Sequence, residues 1–453
     1  MVWEINIKAF FGIIISKAVI KTSHFFKKGG SNFPGKVALK IAPDILKTVA
    51  KDYSIILVTG TNGKTTTTSM IYNMIKDNKK KVITNNTGAN LFPGIVTCFV
   101  ENYKFKNTAE DKYAVIEVDE ANLKFITQLV SPKIITVTNL FRDQLDRYGE
   151  VYTTLKKILE GIQKVPEAAL VLNGDESLLG DLGLKNKTYY YGFTCSLEQS
   201  KTVDINADAK FCKKCKAPYK YNYLTYSHLG DYYCDNCGYK RPDLDYIVNE
   251  IKQVTSDGSL ISIDGNEYYV SQPGTYNIYN ALCAYSVGKT LGIDNSIIFN
   301  SLKSQKSSFG RQEILNIENK EVKIILVKNP AGYDEAINSV KLDNRKVDIC
   351  FILNDNYADG RDVSWIWDVK FEQLANLNIN KVNVAGIRLY DMAVRLKVAG
   401  LSEDKFTFSN TYDELLQQIK TSDEQMIYVL ATYTAMIDFR KFLQSKGYIK
   451  KFW

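Results

Sequence analysis

The chain has 453 residues, a length that accommodates about three domains of ordinary size. Hydrophobic residues at 45% and charged residues at 24% exclude a mainly disordered chain, and 9 prolines with 27 glycines exclude a collagen-like or low-complexity one. Lysine and arginine number 58 against 50 acidic residues, and the resulting +8 permits an anionic partner without demanding one.

No stretch approaches the roughly 18 apolar residues that a membrane-spanning helix needs. The first apolar run, 9–15, lies behind Glu4 and ahead of Lys17, Lys21, Lys27 and Lys28, with no small-residue cleavage site. It does not read as an export signal, and the expected location is cytoplasmic. Phe11, Ile14, Ile15 and Ala18 recur at helical spacing. That predicts an amphipathic helix packed on the domain; a helix resting on a membrane surface is the minor alternative.

From residue 53 short apolar runs alternate with polar-faced helical segments. Runs 54–59, 81–84, 113–118, 133–138 and 168–172 read as strands, and 65–76 reads as a helix. Strands separated by helices imply right-handed crossovers and a doubly wound parallel sheet, an α/β fold. The rhythm breaks between about 196 and 243, in a polar, Tyr- and Cys-rich insertion, and resumes through 277–291. A second α/β unit begins near Arg311, with strands at 322–327, 347–353, 381–384 and 425–431. The expected organisation is a central domain over 1–310 with an N-terminal helical segment, a module inserted at 205–243, and a second Rossmann-like domain over 311–453.

Gly60-Thr61-Asn62-Gly63-Lys64-Thr65-Thr66 follows a predicted strand and opens a predicted helix, the context of a nucleotide phosphate loop. Glycines let backbone N–H groups approach phosphates, and the helix N-terminus adds positive potential. Lys64 is placed for a nucleotide's terminal phosphates and the Thr65 hydroxyl for Mg²⁺. The strict pattern has a glycine where this chain has Val58, so the loop is a variant. A Gly-rich turn that binds nothing is the bland alternative, and the strand, Lys-Thr-Thr and helix together argue against it. The metal needs a carboxylate. Run 113–118 places Glu117 at a strand's C-terminal end, beside the phosphate crevice. Glu120 reads as a cap for the next helix. The following strand leads through Asn139 into a dense polar segment ending at Arg147.

Cys212-x-x-Cys215 and, eighteen residues later, Cys234-x-x-Cys237 have the spacing of a zinc ribbon. Four thiolates close a tetrahedral site, so structural rather than catalytic Zn²⁺ is expected. The tyrosines between them are expected to pack a module with little other core, rather than to stack nucleic-acid bases. Beyond strand 347–353 comes an acidic, Trp-containing loop with Asp355, Asp359 and Asp362. Its bland reading is a turn with solvated carboxylates followed by Trp365 and Trp367 in the core.

Four ordered motifs resemble the ATP-dependent Mur ligase superfamily. They are the phosphate loop, the Asn139–Asp146 segment, Gly274-Thr275-Tyr276-Asn277-Ile278-Tyr279-Asn280-Ala281, and Gly310-Arg311-Gln312-Glu313. Gln144 and Tyr276 stand where that superfamily usually has histidines. In that family ATP phosphorylates a carboxylate and an amine attacks the acyl phosphate. The resemblance implies that Lys64 and Thr65 hold ATP and Mg²⁺, that Glu117 ligates the metal, and that Asn280 and Arg311 contact the nucleotide. Only about 59 residues precede the loop, too few for the superfamily's usual N-terminal domain. That shortening, the cysteine module and the acidic loop together resemble the branch that amidates lipid II. The branch implies conversion of D-isoglutamate to D-isoglutamine in the stem peptide, at the inner face of the cell membrane. It implies a heterodimer in which a GatD-type glutamine amidotransferase supplies ammonia. An aspartate of the C-terminal domain would orient the partner's catalytic histidine; Asp362 is favoured over Asp359 and Asp355. This chain's only histidines, His24 and His228, suit no glutaminase of its own. The alternatives are a folylpolyglutamate-type amino-acid ligase, which would consume an amino acid, and a zinc-ribbon ATPase stimulated by nucleic acid. No dense basic stripe favours the latter.

Overall fold

Residues 6–25, 32–85, 89–105, 111–141, 151–195, 209–305 and 311–449 are described by a computed structural model. Helices α1 (Ile7–Phe25), α2 (Phe33–Ile41) and α3 (Ile45–Val49) precede strand β1 (Tyr53–Thr59). Then come α4 (Lys64–Asp77), β2 (Lys81–Thr84), α5 (Phe92–Asn102), β3 (Lys112–Glu117), α6 (Leu123–Thr127), β4 (Ile134–Val137), α7 (Val151–Ile162), β5 (Ala169–Asn173) and β6 (Thr188–Phe193). A hairpin, β7 (Lys220–Tyr226) and β8 (Leu229–Tyr233), is followed by β9 (Tyr246–Val254), β10 (Ser259–Ile263), β11 (Asn266–Val270), α8 (Thr275–Thr290) and α9 (Asn295–Ser304). Except for that hairpin, the strands so far form one nine-stranded sheet in the order β11-β10-β9-β6-β5-β4-β1-β3-β2.

Strand β1 pairs in parallel with both β3 and β4. The chain therefore leaves β1 first towards one edge and later towards the other. The crevice beyond its C-terminal end is the topological switch point, where open α/β sheets bind ligands. Ile55 to Val58 are buried almost completely, which is why this strand reads as a continuous apolar run. One sheet face packs on Met70, Ile71 and Met74 of α4 and Ala281 and Leu282 of α8. The other packs on α1–α3, α5, α6 and α7.

Two features depart from the sequence reading. The antiparallel strands β9–β11 at one end of the sheet have no long apolar run to announce them, and β9, inside the sheet between β6 and β10, mixes one buried position irregularly with half-buried and exposed ones. Helix α1 does pack on the domain, but through Ala9, Ile13, Ser16 and Ile20. Phe11, Ile14 and Ile15, whose spacing suggested the contact, face outward. The helix is apolar on both sides, so periodicity could not choose between them.

The C-terminal sheet has the order β12-β13-β17-β14-β15-β16. Its strands are β12 (Arg311–Ile317), β13 (Lys320–Leu326), β14 (Val347–Ile352), β15 (Ile379–Ala385), β16 (Phe406–Ser409) and β17 (Met426–Ala431). The helices are α10 (Pro330–Lys341), α11 (Leu389–Val398), α12 (Tyr412–Lys420) and α13 (Tyr433–Ser445). All pairings are parallel except the antiparallel β12–β13.

Candidate functional site

The loop between β1 and α4 is fixed by the exit of β4. Thr61 N–H donates to the Asn139 carbonyl (2.9 Å), and Asn62 N–H donates to Asn139 Oδ1 (2.9 Å). Thr138 Oγ1 donates to the Asn62 carbonyl (2.7 Å). Two glycines are required by close approach. A Cβ on Gly60 (φ +118) would sit 2.4 Å from Thr138 Oγ1, and one on Gly63 (φ +82) would sit 2.0 Å from Asn280 Oδ1. Asn280, on α8, also accepts from Thr67 Oγ1 (3.3 Å).

Thr65 Oγ1 donates to Glu117 Oε2 (2.8 Å), and Asn90 Nδ2 donates to Glu117 Oε1 (3.0 Å). The hydroxyl and carboxylate named from sequence thus stand together, as a Mg²⁺ site requires. Lys64 lies buried, donating to the Gly60 and Thr61 carbonyls and pairing with Glu120 Oε1 at 2.8 Å. Glu120 is therefore no exposed cap. It is a buried partner of the phosphate-loop lysine, and burial pushes its pKa up against the pull of Lys64. Glu120 and Asn90 were missed as site residues because neither belongs to a spacing motif. Thr66 is buried at the start of α4.

Across from the loop lies a solvent-open cleft of about 780 Å³ between the two sheets. Asn62, Gly63, Asn139 and Asn280 line one side and Lys328, Asn329 and Glu335 the other. Asn329 caps α10 by accepting from Gly332 N–H (2.8 Å) and reaches over to donate to Asn62 Oδ1 (3.1 Å). Asn62 Nδ2 is buried with no hydrogen-bond partner among the described residues, as expected of a donor that meets a ligand. These features fit a bound nucleotide. Residues 142–146 of the Asn139–Asp146 segment and the Arg311 side chain lie outside the described residues; the backbone of Arg311 opens β12.

The acidic loop leaves β14 on the same side. Its three aspartates differ sharply. Asp359 is buried, accepts from Thr434 N–H (2.7 Å) and from Thr434 Oγ1, and is pushed up by burial. Asp355 pairs with Arg388 (3.1 Å). Asp362 is exposed and accepts local bonds from Ser364, from its N–H (2.8 Å) and its side chain, which hold its pKa down. Trp365 is half-buried and Trp367 is exposed, so the core reading of these tryptophans fails for Trp367. Partial burial, then the charges of Asp359 and Glu117, raise the pKa of Tyr433.

In the cysteine module the Sγ atoms of Cys212, Cys215, Cys234 and Cys237 all lie within 4.8 Å of one another. Cys212–Cys237 and Cys215–Cys234 are 3.6 and 3.4 Å apart, close to the edge of about 3.8 Å that a tetrahedron of Zn–S bonds would have. The set fits a metal ion. The Asn236 side chain holds Cys215 down to about 6, favouring the thiolate a metal needs. Tyr219, Tyr221, Tyr232 and Tyr239 form the module's own core. The module is tied to the central sheet by Arg241–Asp175 (2.7 Å) and by the buried pair His228–Glu176 (2.9 Å).

Residues 58–237 match the Mur ligase middle domain, and residues 326–436 match the MurT ligase C-terminal family. The chain is 40% identical to the lipid II isoglutaminyl synthase (glutamine-hydrolyzing) subunit MurT of Streptococcus pneumoniae, over 98% of this chain and 99% of that one. The chain belongs to the MurT family. The Staphylococcus aureus MurT (strain COL) is 35% identical over 85% of this chain and 87% of its own. Among solved structures, a pseudomurein peptide ligase type C from Methanothermus fervidus superposes with a TM-score of 0.67 at 20% identity, covering 89% of this chain and 81% of that one. MurF ligase from Thermotoga maritima in complex with ADP gives 0.60 at 14% identity, covering 90% and 85%. The MurT family thus shares the Mur ligase fold, which implies ATP and Mg²⁺.

Proposed function

We propose that this chain is the ATP-consuming subunit of a lipid II isoglutaminyl synthase. It activates the α-carboxylate of D-isoglutamate in the lipid II stem peptide as an acyl phosphate, and ammonia displaces the phosphate to give D-isoglutamine. The observation that carries the reading is the grouping of Lys64, Thr65 and Glu117 at the switch point, facing the C-terminal domain, in a chain of the MurT family.

A carboxylate does not accept ammonia at neutral pH until one oxygen becomes a leaving group, and ATP supplies the phosphoryl group for that. Lys64 offsets charge on the transferred group, Thr65 and Glu117 would hold Mg²⁺, and Asn280 and Arg311 would seat the nucleotide. To meet phosphate, the Lys64 ammonium exchanges the Glu120 carboxylate for it. The four cysteines would hold a structural Zn²⁺. Closure of the two sheets over the cleft would keep water from the activated carboxylate.

Ammonia comes from a GatD-type glutamine amidotransferase. Asp362, ionised and exposed, is the carboxylate suited to orient that partner's catalytic histidine, whereas Asp359 is committed to Thr434 and Asp355 to Arg388. Beside this loop, Ile387 and, at four-residue spacing on α11, Tyr390, Val394 and Val398 expose an apolar stripe with Phe408. Such a stripe, continuous with the aspartate loop through Arg388, suits the partner's docking face. The work would be done at the inner membrane face, where a lipid-linked substrate resides.

The reading is tested with lipid II carrying ¹⁸O in the α-carboxylate, incubated with this chain, Mg²⁺-ATP and ammonium. One ¹⁸O should appear in the phosphate released with each amide formed. Amide formation with unlabelled phosphate would contradict activation through an acyl phosphate.

A further inference from the structure

Helix α1 is apolar on both faces, and the domain covers only one. Ala9, Ile13, Ser16 and Ile20 are buried against the neighbouring helices. The opposite face exposes Ile7 (73%), Phe11 (52%), Ile14 (42%) and Ile15 (42%). Phe10 meets Phe105 edge-on, ring centroids 5.5 Å apart, and both rings remain exposed. Contiguous apolar surface of this kind marks a binding face.

Charge indicates what it binds. Helix α1 contains Lys8, Lys17 and Lys21 and no acidic residue. Lys36, Lys40 and Lys47 follow on α2 and α3, with Asp44 the sole acidic residue across these three helices and their described connections. Glu101 stands near Lys17 at the rim. Residues 1–50 hold eight lysines and two acidic residues, which leaves the rest of the chain nearly balanced. Most of the chain's net positive charge thus lies in the N-terminal stretch of sequence that carries this exposed apolar helix.

We propose that the outward face of α1 docks this chain on an anionic lipid bilayer. Ile7, Phe11, Ile14 and Ile15 enter the boundary between headgroups and acyl chains, and Lys8 and Lys21 meet the anionic headgroups. The helix lies on the membrane: among the described residues no helix is long and apolar enough to cross one. Because its other face is already packed, it docks as a preformed surface. The proposal deepens the lipid II reading, on which its purpose rests, but its test needs no lipid II.

The full chain is sedimented with vesicles of mixed phosphatidylglycerol and phosphatidylcholine, and with phosphatidylcholine alone. Binding is expected to the anionic vesicles and to weaken with salt and on neutral vesicles. Phe11→Glu/Ile15→Glu should weaken binding at least about tenfold with an unchanged melting curve. Lys8→Glu/Lys21→Glu should weaken it on anionic vesicles only. Absence of binding to anionic vesicles, or binding indifferent to these substitutions, overturns the proposal. So does a self-association in sedimentation velocity that Phe11→Glu/Ile15→Glu abolishes while no vesicle binding is seen, since the occupant is then a second protein. Detergent-solubilised lipid II separates the two readings. If the chain amidates it but binds no vesicles, docking fails and the function stands. If it binds vesicles but amidates nothing, the function fails.

Discussion

The two sheets present their C-terminal strand ends to one cleft, and they do so differently. At the end of β1 most groups are held by neighbours, and Asn62 Nδ2 is the buried donor left for a ligand. The loop backbone is bonded to β4, two glycines fit against Thr138 and Asn280, and both Lys64 and Glu117 are buried and paired. At the end of β14 the carboxylates are graded from buried Asp359 to exposed Asp362, beside an uncovered apolar stripe. The first edge is built to meet a small anion with groups the chain itself supplies. In the function proposed above, the second is the surface whose complement lies on another molecule. On that proposal one chain carries an internal chemistry and an external one, and variants can pull them apart.

The sharpest separation is expected from Lys64→Met. Amidation should fall by at least about 1,000-fold with ammonium and with glutamine alike, as read by mass spectrometry of lipid II. The same substitution leaves Glu120 buried without its cation, at a cost of about 3 kcal/mol. Burial already raises the Glu120 pKa, so the neutral form suits its site in the absence of Lys64. The stability deficit of Lys64→Met should therefore be small below the ordinary glutamate range and grow as pH rises through the raised pKa. Lys64→Met/Glu120→Gln should recover the thermal midpoint but not the activity. Recovery of activity in the double variant would remove Lys64 from the chemistry.

Asp362→Asn should act at the other edge alone. Glutamine-driven amidation with the partner should fall roughly 100- to 1,000-fold while ammonium-driven amidation is unchanged. If Asp359→Asn shows that split and Asp362→Asn does not, the buried aspartate is the one that reaches the partner. Cys234→Ser should abolish bound zinc, measured by elemental analysis, and lower the thermal midpoint by several degrees. Its effect on both nitrogen sources should be similar, because the module braces the central sheet through Asp175 and Glu176. The smallest effect on the isolated chain is expected from Tyr390→Glu. Its stability should stay within about 0.5 kcal/mol of the parent, and its affinity for the partner should drop about tenfold.

Legibility in the sequence follows the same division. The phosphate loop could be read because backbone geometry demands glycine at fixed offsets and chemistry demands lysine and a hydroxyl beside it. The four cysteines could be read because two knuckles impose their spacing. Glu117 followed from its place at a strand end. Glu120 did not, since nothing local distinguishes a buried carboxylate partner from a helix cap. The outward face of α1 and strand β9 were illegible for related reasons: each is an element whose burial is settled by its neighbours, not by its own period. The three aspartates could be named but not ranked by environment, because their difference lies in contacts with Thr434 and Arg388, distant in sequence.

The central claim is that one chain activates the carboxylate and a second supplies the nitrogen. The most direct measurement is amidation of lipid II by this chain with Mg²⁺-ATP, run in parallel with ammonium alone and with glutamine alone, before and after the amidotransferase is added. The account predicts amide from ammonium without the partner, and amide from glutamine only with it. Amide from glutamine without the partner, or ATP turnover with no change in lipid II under all these conditions, would contradict it.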